Sequence, residues 1–182
     1  MTMLKIARTE IAVFGGGCFW CTEAIYQELT GIIKVWPGYA GGHVPNPSYE
    51  AVCSGRTGHA ECIKVEFDPK KISYKTLLTV FFGTHDPTTL NRQGNDVGTE
   101  YRSIILTTTP EQKTAAETYI EEIQKDVDDP IVTEIKPLET FYEAEDYHSN
   151  YYARNILQPY CQLLINPKIS KLKEKFRDLL KK

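Results

Sequence analysis

Short apolar runs alternate with amphipathic ones along this chain, and together they predict alternating strands and helices. Thr9 to Phe14 (TEIAVF) is β-branched and apolar and runs into Gly15-Gly16-Gly17, the pattern of a buried strand ending in a tight turn. Cys18 to Leu29 (CFWCTEAIYQEL) carries Ala24, Ile25 and Leu29 at helical spacing from Cys21, and Gly31 stops that helix. Ile32 to Tyr39 predicts a second strand, bent at Pro37-Gly38, and Ala60 to Phe67 a third, closed by Asp68-Pro69. Ser73 caps a helix through about Gly83, with a broad apolar face of Leu77, Leu78, Val80, Phe81 and Phe82. Tyr101 to Leu106 predicts a strand, Pro110 opens a helix to about Val127, and Ile131 to Ile135 predicts another strand.

The order is thus β-α-β-β-α-β with one helix and one strand appended. It predicts an α/β chain (an α+β plait) on a ferredoxin-like split β-α-β core, with two helices on one face of an antiparallel sheet. A length of 182 residues suits one domain over residues 1–182. Two segments interrupt the pattern. Residues 40–59 are rich in Gly, Pro, Asn and Ser, with a short helix expected at Ser48 to Cys53, and His85 to Thr99 reads HDPTTLNRQGNDVGT. Irregular stretches this long are usually functional. The topology lets both meet the first strand–helix turn at one site.

Composition narrows the classes. With 41% hydrophobic and 25% charged residues the chain reads as soluble and globular. A net charge of −3 gives no electrostatic footprint for nucleic acid. No apolar run reaches the roughly 18 residues of a membrane span, and Met1 to Glu10 lacks the apolar stretch of a secretory signal. Five cysteines, an odd number, fit a reducing compartment, the cytoplasm, better than a disulfide framework. Lys168 to Lys182 holds seven Lys/Arg against Glu174 and Asp178. It predicts a solvated terminal helix packed through Ile169, Leu172, Phe176 and Leu179, in preference to a membrane-binding or acidic-partner surface.

The chemistry concentrates at Gly15 to Cys21. The glycines allow a sharp strand-to-helix reversal, which places Cys18 at a helix N-terminus. There the unpaired N–H groups favour an anion, and a thiol pKa is expected to fall from about 8.5 toward about 7. The thiolate is the nucleophile, so placement alone singles out Cys18. A phosphate cradle would need a following Lys-Ser/Thr, and a zinc site a second ligand pair; neither is present. A thioredoxin-like Cys18/Cys21 redox pair remains a rival, as does a peptide-binding pocket of Phe19, Trp20, Tyr49 and Tyr101.

Six blocks occur in order: GGGCFW (15–20), GYAGG (38–42), NPSYEAVCSGRTGHAE (46–61), HDPTTLNRQGND (85–96), GTEYRS (98–103) and FYEAEDYH (141–148). Together they resemble the A-type peptide methionine sulfoxide reductases over about residues 10–167. The resemblance implies reduction of the S epimer of methionine sulfoxide, free or in oxidised proteins, by a monomer. It implies no bound metal, flavin or nucleotide, with thioredoxin or a similar dithiol as the external reductant. It makes Cys18 the nucleophile and Phe19 and Trp20 the pocket around the substrate's S-methyl group. Glu61 becomes the acid that protonates the sulfoxide oxygen. Tyr49 and Tyr101 hydrogen-bond that oxygen and Glu61, and Asp96 supports the network. His59 reads as structural, and Cys53 and Cys62, among apolar neighbours, as inert.

The sequence departs from the family pattern twice. Cys21 stands where Gly is common, and Cys161 precedes a helical pattern where many members have a Gly-rich tail bearing a recycling cysteine. The thiol that resolves oxidised Cys18 is therefore open between Cys21 and Cys161. Cys21 is preferred, because helical i, i+3 spacing satisfies disulfide geometry.

Overall fold

The computed structural model describes residues 8–182; Met1 to Ala7, most of the segment read as lacking a secretory signal, lie outside them. In chain order the elements are β1 (Glu10–Gly15), α1 (Phe19–Gln27), β2 (Ile32–Ala40), α2 (Tyr49–Cys53), β3 (Ala60–Phe67) and α3 (Tyr74–Thr84). There follow the short hairpin strands β4 (Arg92–Gln93) and β5 (Asp96–Val97), β6 (Ile104–Thr107), α4 (Pro110–Ile123), β7 (Glu134–Pro137) and β8 (Phe141–Glu143). Two helices, α5 (Tyr151–Arg154) and α6 (Asn166–Lys175), complete the chain. The main sheet has six strands in the order β7-β6-β1-β3-β2-β8. Every neighbouring pair is antiparallel except β6 and β7, which are parallel. The architecture is mixed α/β.

Burial explains the strand order. β1 is buried on both faces, as its unbroken apolar run requires of a central strand. Its Ala12 and Phe14 face the helices, where Phe14 stacks on Tyr26 and Phe81 at ring separations of 5.6 and 5.0 Å. Val13 faces the other way, into a smaller cluster with Ala40, Ala60, Cys62, Ile104 and Leu106, against which Leu138 and Phe141 pack. Ser48, Ser73 and Thr109 each cap a following helix through a side-chain oxygen.

Several boundaries differ from the pattern. The strand expected from Tyr101 begins at Ile104, because Thr99–Tyr101 form a 3-10 turn. The strand expected from Ile131 forms at Glu134–Pro137 instead. Ile131 N–H is already taken by Gln124 Oε1 at 2.8 Å, and Val132 N–H by the Pro87 carbonyl at 2.9 Å. β2 runs through Pro37-Gly38 without a break and receives β8, a strand the apolar pattern missed. Gly38 is required there, since a Cβ would collide with the Tyr142 carbonyl oxygen. The tail is ordered as expected: α6 buries Ile169 and Leu172, and Phe176 and Leu179 pack on the same core. A five-residue π-helical turn at Cys161–Ile165 precedes it.

Arg102 ties the two irregular segments together. Its guanidinium donates to the carbonyls of Gly58 and Thr99, both at 2.9 Å, and its Nε lies 3.2 Å from Glu134 Oε1. It is buried, so truncation takes from the Gly58 carbonyl its only side-chain donor among the described residues, and one of two partners from the Thr99 carbonyl and from the Glu134 carboxylate. Arg102→Met is expected to lower unfolding stability by about 2–3 kcal/mol, the range for charged hydrogen bonds lost from an interior. Chemical denaturation measures this, and a loss below about 0.5 kcal/mol, the ordinary surface range, would show that the clamp contributes nothing.

Candidate active site

The sheet register brings the site together. Phe14 of β1 pairs with Ile63 of β3, so the chain leaving β1 passes the start of β3. Gly17 then turns it at φ +91°, a conformation that side chains rarely adopt, and a Cβ there would come within 2.7 Å of Gln93. Cys18 becomes the N-cap of α1. The first free N–H of that helix, at Phe19, donates to Glu61 Oε2 at 3.0 Å. Glu61 is only 2% exposed. Burial is the main cause that pushes its carboxyl up to about 8; the charges of Asp96, Glu100 and Cys21 add to this, against the Phe19 hydrogen bond. Burial therefore favours the protonated form of Glu61 at neutral pH.

The thiols differ from expectation. Cys18 and Cys21 are 7% and 3% exposed, and they sit one helical turn apart, close enough that each shifts the ionisation of the other. Helix-terminal placement predicted a lowered Cys18 pKa. Instead, desolvation first, then the Cys21 thiol and the charge of Glu61, raise Cys18 well above the ordinary thiol range. The lowered thiol is Cys21, brought to about 7 chiefly by its hydrogen bond from Cys18, with Lys168 and Tyr160 helping. The negative charge of the pair thus rests on Cys21. Cys161 is also buried, at the start of the π-helical turn. Cys62 is buried, and its thiol is pushed up to about 12 mainly by that burial. Cys53, read as inert from its apolar neighbours, is exposed, with its thiol pKa raised mainly by partial desolvation.

Tyr49 opens α2 and Tyr101 closes the 3-10 turn before β6. Each hydroxyl is held protonated by burial first, and each lies close enough to Glu61 to feel its charge. Neither is hydrogen-bonded to Glu61 in this structure, and Cys53 adds to the upward shift of Tyr49. Asp96, on β5, is raised by burial against the opposing pull of Lys168 and a Tyr160 hydrogen bond. His59 is structural, accepting from Gly42 N–H at 3.0 Å and bonded to the Val44 carbonyl at 2.7 Å.

The two aromatics are covered. Phe19 packs on Tyr39 and His148 inside the core. Trp20 stacks face to face with Tyr151 at 3.6 Å, takes Tyr160 edge-on, and donates from its indole to His148 Nδ1 at 3.0 Å. The open pocket that Phe19 and Trp20 suggested is filled here by the segment after β8. Buried Glu23 anchors this segment, accepting the Asn150 N–H at 2.9 Å with its carboxyl pushed up to about 7 by burial. Sequence reasoning missed His148, Tyr151, Tyr160, Glu100, Glu23 and Lys168. His148 ends the last family-like block and Tyr160 precedes Cys161, so both had a signal. Lys168 had none, because a helical turn and a packing angle set its position.

Among the described residues no group of three or more His, Cys, Asp or Glu is placed to hold a metal ion, and no helix is long and apolar enough to cross a membrane.

The family model for peptide methionine sulfoxide reductase matches residues 10–180. The chain is 56% identical over 172 residues to "Peptide methionine sulfoxide reductase MsrA" of Saccharolobus solfataricus, covering 94% of this chain and 97% of that protein. Among solved structures it is similar to Mxr1 of Saccharomyces cerevisiae in reduced form, with a TM-score of 0.81 and 36% identity over 86% of this chain and 91% of that one. It is also similar to Mxr1 in complex with Trx2, with a TM-score of 0.59 and 26% identity over 83% of this chain and 90% of that one. These matches span almost the whole domain, including every block around Cys18 and Glu61, and the chain belongs to the peptide methionine sulfoxide reductase family, an enzyme family.

Proposed function

We propose that this chain reduces the S epimer of methionine sulfoxide, free or in oxidised proteins, by direct attack of Cys18 on the sulfoxide sulfur. The observation that carries this reading is the protonated, buried Glu61 at the first turn of the helix that Cys18 caps. Nucleophile and acid then act from one place. As the Cys18 sulfur bonds to the substrate sulfur, Glu61 gives its proton to the sulfoxide oxygen. That oxygen passes to Cys18, methionine leaves, and Cys18 remains as a sulfenic acid. Tyr49 and Tyr101 stay protonated near Glu61 and are available as donors to the oxygen. Asp96 supports the network through Tyr160.

Cys21 resolves the sulfenic acid, forming a disulfide and releasing water, since the two thiols are already in contact. Cys161 is the alternative resolver or a relay outward; its complete burial argues for the later place. A dithiol of the thioredoxin kind restores both thiols, a route supported by the similarity to Mxr1 bound to Trx2. No bound cofactor enters these steps. Phe19 and Trp20 form the floor of the methyl pocket once the Tyr151–Tyr160 segment yields to substrate, and sulfur–aromatic contact favours a thioether there. The four strands β6-β1-β3-β2 are the split β-α-β core of a ferredoxin-like plait, and residues 1–182 are one domain. A reducing cytoplasm suits its unpaired thiols.

Epimer-resolved turnover with dithiothreitol tests the reading. The S epimer is expected to be consumed and the R epimer left, with no turnover in Cys18→Ser; reduction of the R epimer alone would overturn it.

Glu61→Gln is expected to move activity and stability in opposite directions. Loss of the acid slows single-turnover methionine formation by about 10²–10⁴-fold. In the wild type the same step falls off as pH rises past about 8, where Glu61 ionises. The folded pKa lies above the ordinary 4.5, so unfolded chains ionise first and stability declines as pH rises from 4.5 to about 8. That linkage amounts to about 3 kcal/mol at neutral pH. The introduced amide keeps an acceptor for Phe19 N–H and has no proton to lose, so the variant melts higher than wild type at neutral pH, with the gap closing in acid. Parallel melting-versus-pH curves for the two proteins would contradict the buried proton.

A further inference from the structure

The terminal helix contributes one basic residue that does not behave like its neighbours. Of the seven Lys and Arg from Lys168 onward, Lys168 alone is half-buried, and the other six are exposed. It lies where α6 continues without a break from the π-helical turn Cys161–Ile165. Its ammonium reaches a cleft of about 160 Å³ that it lines together with Cys21, Gln93, Asp96 and Tyr160. Across that shared cleft its charge favours the ionised form of Cys21.

We propose that Lys168 is a positioning residue that holds Cys21 as a thiolate, and that Cys21 first takes the proton from Cys18 and then closes the disulfide. This deepens the reductase reading and rests on it. The groups facing Cys21 come from every element around it. Cys18 lies on its own helix, Glu61 on β3 and Asp96 on β5; Tyr160 and Cys161 come from the π-helical turn region, and Lys168 from α6. Glu61 is kept protonated, and the thiols and tyrosine are neutral in their ordinary forms. Asp96 and Lys168 are thus the charged groups beside Cys21, and of the two only Lys168 is a cation.

The steps balance. The Cys18 S–H proton passes to the neighbouring Cys21 sulfur, leaving Cys18 as the thiolate nucleophile. Cys18 gains the sulfoxide oxygen as methionine departs, with the Glu61 proton on that oxygen. The Cys21 thiol then attacks the Cys18 sulfur; its proton joins the departing hydroxyl as water, and the S–S bond forms. No oxidant beyond the sulfoxide is needed. Burial that would suppress ionisation of an isolated Cys18 is thereby offset, because the negative charge is stored one helical turn away and returned only when substrate is present.

The test uses the full reduced chain. Cys21 ionisation is followed by ultraviolet thiolate absorbance and assigned by subtracting the titration of Cys21→Ser. The wild-type midpoint is expected near 7. In Lys168→Met, which keeps the aliphatic stem, it rises by about one unit, leaving about tenfold less thiolate below both midpoints. Lys168→Arg keeps the charge and returns the midpoint toward wild type. Stopped single turnovers of Lys168→Met then form both methionine and the Cys18–Cys21 disulfide about fivefold more slowly at neutral pH, about tenfold more slowly in mild acid, and converge on wild type at higher pH. A Cys21 titration that superimposes in wild type and Lys168→Met overturns the proposal, as does an equal displacement in the Met and Arg variants. The titration is independent of whether the wild type turns over sulfoxide, so failure of the reductase reading is seen separately.

Discussion

The hydrogen bond from Phe19 N–H to the buried Glu61 carboxyl is the contact on which the rest of the site depends. It exists because β1 and β3 pair antiparallel, so that the end of one strand meets the beginning of the other. The chain leaving β1 must reverse within three glycines to begin α1, and that reversal aims the free N–H groups of the helix at the first residues of β3. A carboxylate there would satisfy the helix terminus. A carboxyl surrounded by core and by two further acids keeps its proton instead, because desolvation and the charges of Asp96 and Glu100 outweigh one backbone donor.

Charge is rationed in this interior. Glu61, Asp96, Glu100 and two thiols lie near each other, with Arg102 turned outward to the Gly58 and Thr99 carbonyls and Lys168 turned inward. Placing a full negative charge on both Glu61 and Cys18 would bury two anions against each other. The arrangement resolves this by leaving Glu61 neutral and resting the thiol charge on Cys21, beside the lysine. An acid and a nucleophile are thus kept ready without simultaneous ionisation.

The segment after β8 closes the other side. Glu23 holds Asn150 in a left-handed conformation at φ 54°, which launches α5 so that Tyr151 lies flat on Trp20. His148 receives the Trp20 indole N–H, and burial keeps its imidazole neutral and able to accept. Tyr160 follows, edge-on to Trp20 and bonded to the thiols and Asp96. The three groups that cover the tryptophan also fix its orientation. Tyr160 meanwhile connects the aromatic pocket to the cysteines.

Local chemistry made much of this legible in the sequence. Three glycines before Cys18, the cap at Ser73, the helix start at Pro110 and the apolar run of β3 each act within a few residues, and the structure keeps them. Glu61 was legible through its block, NPSYEAVCSGRTGHAE, which carries the family resemblance. The direction of the Cys18 shift was not, because helix-terminal position is local whereas burial depth and the neighbouring anions are not. Nor did the sequence place Lys168, whose distance to Cys21 follows from a π-helical turn and the docking of α6. β8 was hidden as well, since a three-residue edge strand has too short a pattern to read and forms only because Gly38 leaves room for it. The sequence by itself determined which groups could react and where each helix begins. Only the tertiary structure decided which of them carry charge, because ionisation in an interior depends on what distant segments remove or supply: water, anions and a cation.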